Sequence, residues 1–362
     1  MTGTDSDSRT RWACAIVATI SAALTVGVAL TAGVALTASV ALTAGVALAA
    51  EPASTTPAAG QAPTEESPTE EVVVEGNHEG PRMWRVTKGD HTLWVLGTIS
   101  PLPRKMTWQS DAVETVLQET QEVLPAWPSI GVGANPFTAL RLYFTWRKIQ
   151  KSPDHTKLKE QLPPPLYARF SALKSRYAPR DSKLEELRPM LAGGRLLDDV
   201  LDVSGLTMRN EVQQTVLKLA NKQGVKVHQT KMKVEDPVNV LKDLGDTPKD
   251  SEITCLAAIV SRIETDLGPM QARARAWALG DVDSLRSLPH SVDDRIACLA
   301  AVSSSERIRN LVIRAQDDWL IEAEDALARN KSTLAVQSMD RLLGDDGILA
   351  TLRKKGYTVE GP

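Results

Sequence analysis

Apolar and polar residues alternate along the first foldable stretch of this chain, and the alternation predicts two short strands. Met83–Val86 and Thr92–Leu96 flank the turn sequence TKGDH, which places Gly89 in the turn of a β-hairpin. The next segment, SDAVETVLQETQEVL, has helical periodicity with Ser110 or Asp111 as its cap. EVLPAW then predicts another short strand.

The middle of the chain predicts one helix after another. Helical segments run from residue 135 to about 222, interrupted by KSPDH, QLPPP and YAPRD, and a second helical stretch covers 252–328. VKVHQ at 225–229 predicts a strand between them, and the C-terminal part predicts strand STLAVQSM, helix DDGILATLRKKG and strand YTVEG. The predicted fold class is therefore α/β, with a small central mixed sheet formed by the N- and C-terminal segments and a large helical insert.

The N-terminus predicts export. Arg9 and Arg11 precede an uncharged run from Trp12 to Ala50, and Ala47-Leu48-Ala49 fits a small-x-small cleavage site. Residues 1–50 are therefore interpreted as a signal peptide or, because the run exceeds the ~20 residues of a spanning helix, as a membrane anchor. We expect a periplasmic or otherwise exported protein, tethered to the inner membrane through residues 12–50 if the signal is not cleaved.

Composition separates a linker from the folded part. Residues 51–80 are rich in Pro, Ala, Thr, Gly and Glu, which predicts a disordered acidic linker before a single domain at 81–362. The formal net charge is −3 and the basic residues of the folded part are scattered, so nucleic acid is not an expected partner. The basic residues of TWRKIQK predict a solvated helix face. Trp84, Trp94 and Trp108 surround the hairpin and predict core packing.

Two cysteines lie in the folded part. Cys255 in ITCLAAIV and Cys298 in IACLAAVS both occupy apolar helical faces. In an oxidising compartment two such cysteines tend to pair, so we expect a Cys255–Cys298 disulfide, with two buried free thiols as the alternative. The chain has no CxxC metal spacing.

Four segments together resemble the TraB/GumN family, which is grouped with TIKI-type metalloproteases, erythromycin-esterase-like proteins and ChaN-like haem-binding proteins. They are LWVLGTISPLP, ANKQGVKVHQT, DDWLIEAEDAL and LLGDDGILATLRKKGYTV, and the resemblance covers about 83–362. It implies two strand-end histidines, an acidic residue after the second strand and a late-helix arginine, arranged as a metal-dependent hydrolytic site. Such a site would activate a metal-bound water and stabilise developing negative charge.

This sequence departs from the family pattern at every one of those positions. The first histidine falls on Ser100, the second on Arg341, the acidic residue near Ala126 and the late-helix arginine on Ala315. Serine is a poor ligand for a transition metal, so no metal and no cofactor are predicted. A divalent metal is expected only if the protein is a divergent hydrolase.

The same strand ends supply candidates for a binding cleft. These candidates are Gly97, Thr98, Ser100, His228, Asp340 and Arg341. Asp340 and Arg341 would form either a polar or anion-binding cleft opposite Ser100 or a simple surface ion pair. His228 ends the mid-chain strand, with a satisfied sheet-edge histidine as the alternative, and His91 is expected to be a solvated turn residue.

The sequence thus predicts a catalytically inactive protein that acts by binding an unknown small molecule or protein in the cell envelope. The alternative is a divergent metal-dependent hydrolase or peptidase, and carriage of a small ligand in the cleft is a third hypothesis.

Overall fold

A computed structural model describes residues 80–132, 135–288, 293–343 and 346–362. The predictions made for residues 1–79 lie outside the described residues. Among the described helices, none combines the length and the apolar character that a membrane crossing requires.

The strands are short except for two that come from opposite ends of the folded part. In chain order they are β1 (Met83–Lys88), β2 (His91–Thr98), β3 (Leu102–Pro103), β4 (Glu122–Leu124), β5 (Ser129–Val132), β6 (Leu206–Thr207), β7 (Lys226–Val227), β8 (Lys231–Val234), β9 (Ser332–Ser338) and β10 (Thr358–Glu360).

Helices make up most of the remainder, together with a 3₁₀ turn at Ser182–Glu186. In chain order they are α1 (Asp111–Glu119), α2 (Pro136–Ile149), α3 (Leu158–Gln161), α4 (Pro164–Tyr177), α5 (Pro189–Val203), α6 (Glu211–Gln223), α7 (Pro237–Gly245), α8 (Lys249–Ala278), α9 (Val282–Ser287), α10 (Asp293–Val302), α11 (Glu306–Arg329), α12 (Met339–Leu342) and α13 (Ile348–Lys354).

The central sheet is mixed, in the order β10-β1-β2-β9-β4-β7. β1 pairs antiparallel with β2 and β10, whereas β2, β9, β4 and β7 run parallel to one another. β2 and β9 are largely buried, and their register pairs Thr92 with Ser332 and Thr98 with Ser338. The predicted α/β architecture, with a sheet built from N- and C-terminal segments, is confirmed.

Two hydrophobic cores lie side by side, and the two longest helices belong to both. The N-terminal part of α8, including Leu256 and Ile263, packs in the helical core, and its C-terminal part, including Trp277, packs in the sheet core. α11 divides in the same way between Val312 and Trp319. The boundary between the two cores therefore crosses both helices near their middles.

Several local predictions differ from the structure. The mid-chain strand extends over Lys226–Val227 only, because the next residues leave the ladder after His228 N donates to Val123 O. The expectation of a solvated His91 is wrong, because its Nδ1 lies 2.7 Å from Leu327 O in a partly buried position. Trp84 is buried as predicted, and Trp108 meets the Trp277 ring edge-on with centroids 5.8 Å apart.

The Cys255–Cys298 disulfide is confirmed and joins α8 to α10 inside the helical core. Replacing both cysteines with alanine should lower the free energy of unfolding by about 2–4 kcal/mol, because the bond closes a long loop in the unfolded chain. Chemical denaturation under non-reducing conditions would measure this. Cys14→Ala is the matched control, and an equal effect of that change would contradict the prediction.

Candidate functional site

The carboxyl ends of β2 and β9 lie side by side, where Gly97 pairs with Gln337. Gly97 is required for packing, since an added Cβ would collide with Met339 Sδ and lie 2.8 Å from the Trp84 ring. Its carbonyl oxygen accepts a hydrogen bond of 2.7 Å from Trp277 Nε1. Gly97 therefore supports the strand end rather than offering a surface to a ligand.

The next two candidates, Thr98 and Ser100, face inward. Thr98 is buried, and its hydroxyl donates to Gln337 O and accepts from Asn210 Nδ2, both at 3.4 Å. Ser100 lines a small internal cavity of about 10 Å³ with Arg262, Asp266 and Arg273. A cavity of that volume accommodates a single water molecule, so it offers no room for an organic substrate.

Arg341 is buried on α12, at the end of β9. Its Nη2 donates to Gln316 O at 3.3 Å, and its guanidinium carbon lies 5.7 Å from the centroid of the Trp319 ring. Burial lowers the pKa of Arg341 well below its ordinary value, while the negative charge of Asp317 opposes that shift. A guanidinium keeps its proton even so, because the charge is delocalised over three nitrogens.

Ala126 and Ala315 lie at the same end of the sheet. Trp319 Nε1 donates to Pro125 O at 2.9 Å, and the next residue, Ala126, donates its backbone N–H to Gln213 Oε1 at 2.8 Å. Ala315 precedes Gln316, the residue that Arg341 contacts. The structure thus gathers these positions around Trp319.

Four arginines, which we call the arginine cluster, occupy this end of the sheet: Arg262, Arg273, Arg295 and Arg341. Buried Arg262 pairs with buried Asp294 at 2.6 Å, and Arg295 pairs with Asp340 at 2.6 Å. Asp340 therefore takes part in an ion pair between α12 and α10.

Arg273 connects the two ion pairs to the cavity beside Ser100. Its Nη1 donates to Leu285 O at 2.7 Å. Burial lowers the pKa of Arg273, the nearby charge of Asp340 raises it, and Arg295 lowers it further. Arg273, Arg295 and Asp340 are therefore electrostatically coupled near the boundary between the two cores.

Sequence reasoning missed Arg262, Asp266, Arg273, Asp294 and Arg295. A usable signal was present in α8, where Arg262, Asp266 and Arg273 recur on the helical face that also carries buried Ile259 and Met270. Charged residues that interrupt an apolar stripe need buried partners, so they indicate an internal ionic site.

His228 belongs to a second polar cluster. Its Nδ1 lies 2.8 Å from Glu122 Oε1 and its Nε2 lies 2.9 Å from Glu322 Oε2. Along α11, Glu322 is six residues from Gln316, or about 9 Å at the helical rise. The structure therefore places His228 apart from Arg341.

Glu122 is the buried centre of this second cluster. Its Oε2 accepts from Asn330 Nδ2 at 2.7 Å and from Arg329 Nη2 at 3.3 Å. Burial alone would raise the pKa of the Glu122 carboxyl, but these hydrogen bonds and the charges of His228 and Arg329 lower it overall. The carboxylate is thus held ionised inside the protein.

Comparison with known proteins identifies the family. The model of the TraB/PrgY/gumN family matches residues 82–361. The chain belongs to this family. Searches of curated proteins and of solved structures found no significant match.

The metal that the TraB/PrgY/gumN resemblance implies does not fit the residues at these strand ends. Ser100 and Arg341 stand where the histidines are expected, and the neighbouring carboxylate of Asp340 is paired with Arg295. Within the described residues, no group of three or more His, Cys, Asp or Glu side chains has an arrangement that could hold a metal ion. Guanidinium groups only donate hydrogen bonds and repel cations.

The Arg262–Asp294 pair provides a test of the arginine cluster. Arg262→Met should destabilise the protein by about 3–5 kcal/mol, because it leaves the Asp294 carboxylate buried without its cation. The double variant Arg262→Met/Asp294→Leu should recover most of that loss, and a double-mutant cycle by urea denaturation measures the coupling.

The exposed pair Lys151–Glu186, at 2.7 Å, is the matched control for that cycle. Lys151→Met should cost less than about 1 kcal/mol because water screens this pair. Additive effects of the Arg262 and Asp294 substitutions would show that the two residues do not stabilise each other.

The Glu122 cluster predicts a pH dependence of stability. The pKa of Glu122 is lower in the folded than in the unfolded protein. The stabilisation that its carboxylate provides is therefore fully present above the unfolded pKa of about 4.3, and it is lost as the pH falls through the folded pKa. Glu122→Gln should therefore reduce the free energy of unfolding by about 1–3 kcal/mol at neutral pH, and the difference should shrink in acid.

Denaturation at several pH values would measure that difference. Glu119→Gln makes the same chemical change at an exposed residue on α1, so its effect should stay within about 0.5 kcal/mol. A Glu122→Gln effect that is the same at neutral and acidic pH would contradict the pKa assignment.

Proposed function

We propose that this chain is an exported, catalytically silent member of the TraB/PrgY/gumN family that acts by binding another molecule of the cell envelope. The observation that carries the proposal of a silent site is the arginine cluster. Arg341 stands at an expected ligand position, Arg262 and Arg273 line the cavity beside Ser100, and Arg295 pairs with Asp340, the residue before Arg341. A metal cation at this end of the sheet would be repelled by the positive charges of these guanidinium groups.

Export is supported by two independent features. The basic start, uncharged run and small-residue site before Glu51 have the order of a secretory signal. The Cys255–Cys298 disulfide is of the kind that persists in oxidising compartments. A periplasmic or otherwise exported location is therefore part of the proposal, and the partner is a small molecule or a protein met there.

Metal binding by the purified full chain tests the proposal. Elemental analysis after mild chelation, followed by calorimetric titration with Zn²⁺, Mn²⁺ and Co²⁺, should detect no stoichiometric metal at micromolar concentration. The physical reason is the charge at the strand ends, where arginines stand beside a serine rather than imidazoles.

One metal ion bound tightly per chain would overturn the proposal and favour the divergent metal-dependent hydrolase. In that case Ser100→Ala and Arg341→Lys show whether the ion lies at these strand ends. Peptidase and ester-hydrolysis assays with and without metal complete the test, since turnover lost in either variant would also contradict a silent site.

A further inference from the structure

Helix α2 has apolar side chains on two opposite faces. Leu142, Trp146 and Ile149 form the inner face and pack with Val238 and Leu241 of α7. Asn135 caps the start of the helix by accepting a hydrogen bond of 2.8 Å from Thr138 N. The packing of α2 on the domain is therefore complete without its second apolar face.

The second face, which we call the aromatic face, consists of Phe137, Leu140, Tyr143 and Phe144. Their side chains are exposed by 79%, 54%, 43% and 61%, respectively. The Tyr143 and Phe144 rings contact each other edge-on, with centroids 5.4 Å apart. Large apolar side chains grouped on one helix mark an interaction surface rather than the scattered exposure of ordinary proteins.

Basic residues are interleaved with this face. Phe137, Arg141, Phe144 and Lys148 follow one another at spacings of four, three and four residues, which places them in a single stripe along the helix. Arg147 lies beside Phe144 on the neighbouring stripe, and all three basic side chains are exposed. The helix sequence PFTALRLYFTWRKI contains no acidic residue.

We propose that α2 docks the protein on the surface of an anionic lipid bilayer, with Phe137, Leu140 and Phe144 inserted at the boundary between headgroups and acyl chains. Exposed aromatic and leucine side chains with adjacent lysine and arginine are the composition of helices that lie in a membrane interface. The basic side chains would contact lipid phosphates and other anionic headgroup oxygens.

Charge complementarity selects this occupant over a second copy of the chain. Two aromatic faces placed against each other would oppose Arg141, Arg147 and Lys148 of both copies, and like charges across an interface are unfavourable. The uncharged run at 12–50 is consistent with a position close to a bilayer. This surface is separate from the arginine cluster, so its test is independent of the proposed function.

Site-specific fluorescence on the full chain tests the docking directly. Leu140→Cys in a Cys14→Ser background carries an environment-sensitive label, and the remaining cysteines are joined in the disulfide. With vesicles of seven parts phosphatidylcholine to three parts phosphatidylglycerol, the label should shift to the blue and be quenched by brominated acyl chains. With phosphatidylcholine alone, both signals should be much smaller.

The matched control carries the label at Ile321→Cys on α11, an aliphatic position that is also 54% exposed. Its label should remain accessible to iodide with either kind of vesicle. The variant Arg141→Gln/Arg147→Gln/Lys148→Gln should weaken the docking equilibrium of the Leu140 label by about fivefold for each charge removed. Circular dichroism confirms that this variant keeps its helices.

Three outcomes would overturn the proposal. A Leu140 label that stays accessible to iodide with anionic vesicles excludes docking. Equal burial in neutral and anionic vesicles excludes the role of the basic residues. Shielding of the Leu140 label from iodide in buffer alone would show that protein, not lipid, covers the aromatic face. Shielding that increases with protein concentration indicates a second copy of the chain, and shielding that does not indicates another segment of the same chain.

Discussion

The parallel pairing of β2 with β9 is the constraint on which the rest of the structure depends. Thr98 and Gln337 meet at the ends of these strands although 239 residues separate them in sequence. Every helix of the insert lies between β2 and β9 in the sequence. The pairing of these two strands therefore brings the beginning and the end of the insert together. β1 and β10 extend the sheet on one side, and β4 and β7 extend it on the other. Long-range pairing of this kind forms only when burial compensates for the loop-closure entropy.

The two long helices convert that closed sheet into a second, helical core. α8 and α11 each pack one half on the sheet and the other half on the insert, so neither core is complete without them. The two cores meet where these helices cross from one to the other. The arginine cluster lies at this crossing, where buried charge is tolerated because each guanidinium has a carboxylate or a carbonyl partner.

The sheet was predictable from sequence because β1, β2 and β9 have strong period-two or continuous apolar patterns, and the disulfide followed from two cysteines on apolar faces. β7 was predicted too long. Only Lys226 and Val227 pair with β4, and the strand ends before partly exposed His228. Arg262, Asp266 and Arg273 on an apolar face of α8 indicated an internal ionic site, but the partners on α10 and α12 were not predictable, because the meeting of these helices depends on the tertiary fold. The aromatic face of α2 was overlooked for a similar reason: a helix with two apolar stripes does not reveal which stripe faces the domain.

Polar groups that are enclosed between the sheet and the insert need hydrogen-bond partners. Arginine side chains donate to two carbonyl oxygens in this region, Arg341 to Gln316 O and Arg273 to Leu285 O. Arginine suits this position because one side chain supplies several N–H donors, and the guanidinium of Arg341 also lies against the Trp319 ring. Carboxylates balance two of the guanidinium charges, Asp294 that of Arg262 and Asp340 that of Arg295. The ion pairs thereby connect α8 to α10 and α10 to α12.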